Sequence, residues 1–236
     1  GAVNVVAQGL YASSADQLHN LGELVHSNDG RSFRYCRAGA VALVSANLQQ
    51  AKAENTADQN LAVAAAAIGA TEIVTTTTVS VDANEYANGF AIVAVTPGIG
   101  KVYKIKSHPA ATAAALTITL SDTIEVALTT ASRIDLVSNP YQAVVVQPTT
   151  RTSCPVGVAL AALAIDQYGW LGVGGPQACL ADAAGLTVGL HVSSSDATAG
   201  AVEVISDAAT ELLPPIGRAL SGVAAAEVGL VLMQLH

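Results

Sequence analysis

Charge is scarce in this sequence. Only 12% of its 236 residues are Asp, Glu, Lys or Arg, and the basic side is the poorer, 10 against 18. With a net charge of −8 and a pI near 4.9, no clustered basic footprint is left for a nucleic-acid backbone. The balance suits a soluble protein, or one docking on a surface of complementary charge. Cysteine is also rare. Cys36, Cys154 and Cys179 are far apart and make no C-x-x-C pair. An odd count without motif spacing favours reduced, buried thiols in a cytoplasmic product over a disulfide framework. Hydrophobic residues reach 51%, yet no apolar run approaches the ~18 residues of a membrane-spanning helix. The opening GAVNVVAQGLYASSADQ has no basic stretch ahead of its apolar residues, so no signal peptide is expected.

Signatures of chemistry are missing as well. VTPGIGKVYKI (95–105) has the glycine-lysine pair of a phosphate-binding loop. Such a loop needs a glycine where Val95 stands, Ser or Thr where Val102 stands, and a following helix in place of the alternating VYKIK. Thr96-Pro97-Gly98 is turn chemistry, so Thr96–Gly100 is expected to join two strands. GWLGVGGP (169–176) lacks a following helix and is interrupted by Pro176, so it carries no dinucleotide fingerprint; its glycines suit a bulge or close backbone approach. The five histidines, His19, His26, His108, His191 and His236, show no metal-ligand spacing. SSSDATAG (193–200) is a polar turn cluster, not a nucleophile elbow. Acids such as Asp29, Asp82, Asp122, Asp182 and Asp196 stand where turns alone would place them. No catalytic residue, cofactor or metal site is expected.

Strand patterns fill the remainder. LGELVHSNDGRSFRYCR (21–37) reads as a hairpin turning at Asp29-Gly30, with its three arginines split between faces. Residues 38–70 are alanine-rich and irregular, an extended or partly helical connection with ENTADQN (54–60) as a linker. From residue 71, EIVTTTTVSV, GFAIVAV, KVYKIK, LTITL, TIEVAL, IDLV and YQAVVVQP follow at roughly ten-residue spacing. PTTRTSCP (148–155) marks a boundary, beyond which VGVALAALAI, GWLGVGG, QACLAD, LTVGLHVS, AVEVI, PIGRAL and EVGLVLMQL restart the pattern. No fixed internal repeat is evident. The expectation is an all-β chain of two small sandwich- or barrel-like domains with little helix. It divides into an N-terminal arm, hairpin and connection (1–60), a β domain (61–150) and a C-terminal β domain (151–236).

LGELVHSNDGRSFRYCRAGA (21–40) resembles the opening segment of tailed-bacteriophage head decoration, or cement, proteins. GKVYKIKSHPA (100–110), NPYQAVVVQPTT with PVGVA (139–159), and VGGPQACLADAAGLTVGLHVSSSDATAGAVEVI with PPIGRAL continue the likeness. The resemblance implies a non-enzymatic virion protein, larger and more two-part than small decoration proteins. It would bind the outer surface of major capsid protein subunits as a homotrimer, assembled in the host cytoplasm, without cofactor, nucleic acid or membrane. It supplies no active-site residues. Candidate partner contacts are Tyr11, Gln17, His19, Arg31, Arg34 and Trp170, with residues 1–20 as an arm on a neighbour or an ordinary frayed terminus. Trp170 reads first as a core or interface anchor. The alternative function is a glycan- or receptor-binding module of a tail fibre or spike, with Trp170, Tyr168 and Tyr141 as an aromatic platform. A β-fold hydrolase with carboxylates from distant strands ranks last.

Overall fold

The computed structural model describes residues 8–205 and 214–235. In chain order its strands are β1 (Leu24–His26), β2 (Ser32–Arg37), β3 (Leu48–Gln50), β4 (Leu61–Ala62), β5 (Glu72–Thr76), β6 (Ser80–Val81), β7 (Phe90–Val95), β8 (Val102–Ser107) and β9 (Ala111–Thr112). They continue with β10 (Ala115–Leu120), β11 (Arg133–Val137), β12 (Val145–Val146), β13 (Pro155–Ala159), β14 (Tyr168–Leu180), β15 (His191–Ser194), β16 (Val202–Val204), β17 (Gly217–Ala219) and β18 (Val228–Gln234). The only helical piece among the described residues is a 3₁₀ turn, Thr56–Asp58, started by the Asn55 side chain accepting from the Ala57 N–H at 3.2 Å. The chain is all-β, and the ENTADQN linker is this capped turn.

Two compact units result, but their boundaries differ from those expected. Residues 1–53 and 140–236 form one unit, and residues 54–139 form the other. The N-terminal hairpin belongs with the C-terminal strands because β2 pairs antiparallel with β14, Arg37 opposite Tyr168. The expected boundary at 148–155 instead joins β12 to β13, both neighbours of β3 in one sheet.

The first unit is a sheet ordered β12-β3-β13-β14-β18-β17-β15-β16, with β1 attached through β2. GWLGVGG and QACLAD, read as separate strands, merge into the thirteen residues of β14. Pro176 is tolerated because β14 changes partners beside it. Its pairing with β2 ends at Gly174, where pairing with β18 begins. Gly175 sits at φ +73°, and a Cβ there would collide with the Gly30 carbonyl, so only glycine fits this crossing.

The second unit runs β4-β11-β7-β8-β10-β5. Val63, after β4, bridges Thr75 of β5 and brings the two ends of the sheet together. Alternation does the sorting: β5 and β8 bury every second residue. Ile73, Ile105, Leu116, Ile118 and Ile134 all meet inside, fully buried. At ~1.5–3 kcal/mol for each buried aliphatic side chain, this interior can hold the unit together on its own residues. VTPGIGKVYKI forms the β7–β8 hairpin and its loop, as expected. TIEVAL is not a strand; it supplies only a bridge at Leu128.

One turn device recurs along the chain, at no fixed spacing. Six four-residue turns each close by the fourth N–H donating to the first carbonyl: Val44–Asn47, Ala67–Ala70, Thr129–Ser132, Ala164–Gln167, Thr187–Leu190 and Ala224–Glu227, at 2.9–3.3 Å. The residue before each turn exchanges two hydrogen bonds with its counterpart in another: Leu43 with Leu163, Ala66 with Leu128, Leu186 with Val223. In five of the six the third position has positive φ, at Ala46, Gly69, Asp166, Gly189 and Ala226, the requirement of a type II turn. Gln167, Ser132 and Glu227 also accept from the first N–H of their own turns. The motif has no fixed period because strands of different number separate its copies. GVALAALAIDQYGWL (157–171) and GRALSGVAAAEVGLV (217–231) nonetheless align through two such turns.

Candidate interaction surface

The hairpin β1–β2 holds the N-terminal segment. The buried Tyr35 hydroxyl, carried inward by β2, donates to Gln8 Oε1 at 2.7 Å and accepts from the Leu18 N–H at 3.2 Å. Gln8 Nε2 donates to the carbonyls of Ala12 and Tyr168, and Ser14 exchanges backbone bonds with Tyr168 at 3.0 and 2.8 Å. Burial raises the Tyr35 phenol above its usual range, which keeps it a donor. From Gln8 onward the expected arm therefore lies on this chain's own sheet. Residues 1–7 of that arm fall outside the described residues.

The six contact candidates separate into three groups. Trp170 is 1% exposed and packs edge-on to Tyr35 and His19 at 5.0 Å; it is a core residue. His19 faces Glu23 at 3.2 Å, and Gln17 donates to the His19 carbonyl at 3.0 Å. Arg34 donates to the Gly22 carbonyl at 2.7 Å and lies 5.4 Å from the Tyr141 ring centroid. Trp170, His19 and Arg34 are tied into the fold by these contacts, while Gln17 is exposed and its bond is local to its own loop. The aromatic platform for a glycan is overturned by the same packing: Tyr168 is half-buried and stacked on Tyr35, and Tyr141 is half-buried beneath Arg34.

Tyr11 and Arg31 are brought together at the surface. Arg31 Nη1 donates to the Tyr11 hydroxyl at 3.1 Å, its Nε donates to Asp29 at 2.7 Å, and the guanidinium lies 5.3 Å from the Phe33 ring centroid. The hydrogen bond to Tyr11, then that to Asp29, raises the Arg31 pKa, so the group stays charged. Beside them is a pocket of about 210 Å³ whose wall includes Leu160, Pro176, Ala178 and Leu230. Ala178 and Leu230 are paired across β14 and β18. Leu230, 42% exposed, shares its open face with Val228. No motif pointed to β18; its outward residues are recognisable only from the pairing.

A second exposed strip lies on the other unit. Phe90, Ile92 and Ala94 of β7 alternate away from the interior, and Val102, Lys104 and Lys106 do so on β8. Phe90 is paired with Lys104 and Ile92 with Val102, while Phe90 is 37% and Val102 56% exposed. Lys101 is held by Glu125 at 2.6 Å, whereas Lys104 and Lys106 make no ion pair among the described residues.

Other reactive side chains are built into the interior. Asp58 is buried and accepts from the Tyr86 hydroxyl at 2.5 Å and from Asn55 at 2.7 Å. Burial first, and then the hydrogen bond to Asp58, drives the Tyr86 phenol far above its usual range. His108 Nε2 accepts the Tyr86 N–H at 2.9 Å. Burial pushes the Cys36 and Cys179 thiols up to about 12. Cys154 departs from the expected burial and is exposed, because it precedes β13 in the connecting loop. No group of three or more His, Cys, Asp or Glu among the described residues converges to hold a metal ion. Comparison with protein-family models, curated proteins and solved structures finds no match for this chain.

Proposed function

We propose that this chain is a non-enzymatic structural protein of a phage virion, decorating and stabilising the capsid by binding the outer surface of major capsid protein subunits. The observation that carries the proposal is the β7–β8 strip. An exposed Phe90 paired with Lys104, next to Ile92 and Val102, joins an aromatic and aliphatic centre to unpaired positive charge. Aromatic residues are enriched in protein contacts, and lysines at a rim speed encounter with an acidic surface. On a shell of many identical subunits, weak contacts of this kind sum into high avidity. The likeness of residues 21–40 and of the C-terminal strands to head decoration proteins supports the same reading.

Co-sedimentation with expanded, undecorated phage heads tests it. The intact protein should pellet with the heads. The double variant Phe90→Ser/Lys104→Glu should pellet at least tenfold less while keeping its melting temperature. Absence of co-sedimentation by the intact, folded protein overturns the proposal.

A further inference from the structure

The pocket beside Tyr11 and Arg31 has a definite chemistry. Its volume, about 210 Å³, falls below the ~300–1,000 Å³ of small-molecule and cofactor sites, so it is scaled to one side chain. Leu160, Pro176, Ala178 and Leu230 make its wall apolar, and Arg31 places a cation against it. An occupant must therefore combine an aliphatic side chain with a neighbouring carboxylate or carbonyl oxygen.

The same unit carries such a feature. In the Ala164–Gln167 turn, Ile165 is 55% exposed at the second position and Asp166 follows it. The positive φ of Asp166, +63°, belongs to the type II geometry that turns Ile165 outward. Asp166 accepts from Arg37 at 2.7 Å through one oxygen, and its side chain remains 64% exposed. Val44, also 55% exposed, stands in the partner turn, joined through the Leu43–Leu163 hydrogen bonds. Ile165 is not part of its own pocket, although Ser45 and Ala46 of that partner turn line it. Knob and pocket are thus linked through one hydrogen-bonded pair of turns, and a self-complementary two-fold contact uses both on one surface.

We propose that the pocket receives the Ile165–Asp166 turn of a second copy of this chain, and reciprocally. Ile165 fills the apolar wall against Leu230 and Ala178, while Asp166 meets Arg31 and the Tyr11 hydroxyl. The contact involves no shell, so its failure leaves capsid binding by the β7–β8 strip standing, and the reverse also holds.

Two single variants test it, Ile165→Cys and Leu230→Cys, each with Cys154→Ser to remove the exposed native thiol. Both replaced side chains are exposed, and circular dichroism with melting checks that each variant folds. Mixed and oxidised, they should form a disulfide-linked pair of twice the 23.7 kDa chain mass, with each variant alone forming at least tenfold less. Sedimentation equilibrium gives the second readout: Ile165→Asp and Arg31→Glu should each weaken association of the otherwise unmodified chain at least tenfold. Folded variants that give no mixed disulfide, or wild-type protein that sediments as a single chain up to millimolar concentration, would overturn the proposal.

Discussion

Trp170→Ala separates a core role for this residue from a surface one. The side chain is 1% exposed, packed with Val25, Phe33 and Tyr35, and meets both Tyr35 and His19 edge-on at 5.0 Å. Removing a buried Trp to Ala costs ~3–5 kcal/mol in transfer and cavity terms. Lost edge-to-face contacts belong to the same range and are not added again. For a unit of this size each kcal/mol moves the midpoint by ~2–4 °C, so a fall of about 10–15 °C is expected. Calorimetry is the assay, because the two compact units give the result an internal control. The transition of residues 1–53 with 140–236 should move, and that of residues 54–139 should stay within a degree or two. Trp170→Phe should recover more than half of the loss by refilling most of the cavity. A shift below ~1 kcal/mol for the alanine variant would show that the ring is not a core element.

Three further expectations follow from the interior and the turns. Ala46→Gly and Ala226→Gly relieve positive φ at the third turn position, where a non-glycine residue costs ~1–2 kcal/mol. Against a ~0.4–1 kcal/mol gain in unfolded-chain entropy, each should stabilise by about 0.5 kcal/mol in urea titration, and a loss would refute the turn geometry. Tyr86→Phe removes the donor to buried Asp58 and should cost about 1–3 kcal/mol, read as a lower urea midpoint for residues 54–139 alone. With the Cys36 and Cys179 thiols at about 12 in the folded chain, a disulfide reagent at pH 8 should modify one thiol natively and three after denaturation. The sign of the pH effect is set by the unfolded chain, whose thiols ionise near 9. The stabilisation is complete below pH 9 and is lost toward 12 at ~1.4 kcal/mol per pH unit for each thiol, which alkaline melting would reveal.

Period-two patterning revealed the strands because one face of each is buried. Ile73 with Thr75, and Tyr103 with Ile105, alternate with exposed neighbours as their spacing predicts. Asp29-Gly30 marked the first hairpin correctly, since His26 pairs with Ser32 across it. The domain boundaries were not legible, because nothing local in β2 announces a partner as distant as β14. The repeat was hidden for a different reason. Only Gly69 and Gly189 among its positive-φ positions are glycines; Asp166 is a lone turn-favouring residue, and Ala46 and Ala226 carry no turn signal. At the surface, Tyr11 and Arg31, both contact candidates from the sequence, meet through a hydrogen bond. Trp170, which reads from sequence first as a core or interface anchor, is enclosed by Tyr35 and His19 in the core. Leu230 and Ile165 looked like ordinary strand residues until pairing and turn geometry turned them outward.

Interrupting one sheet with a complete second unit sets an order of assembly. Arg37 and Asp166, which meet at 2.7 Å, are 129 residues apart in the chain, and β18 must enter between β14 and β17. Every pairing of residues 54–139 described above is internal to that stretch, so the barrel can close while the later strands are still being synthesised. The unit that begins first therefore finishes last, with long-range closure as its slow step. Until β18 arrives, β14 and β17 present open strand edges, which makes the nascent chain most vulnerable to wrong pairing just before completion.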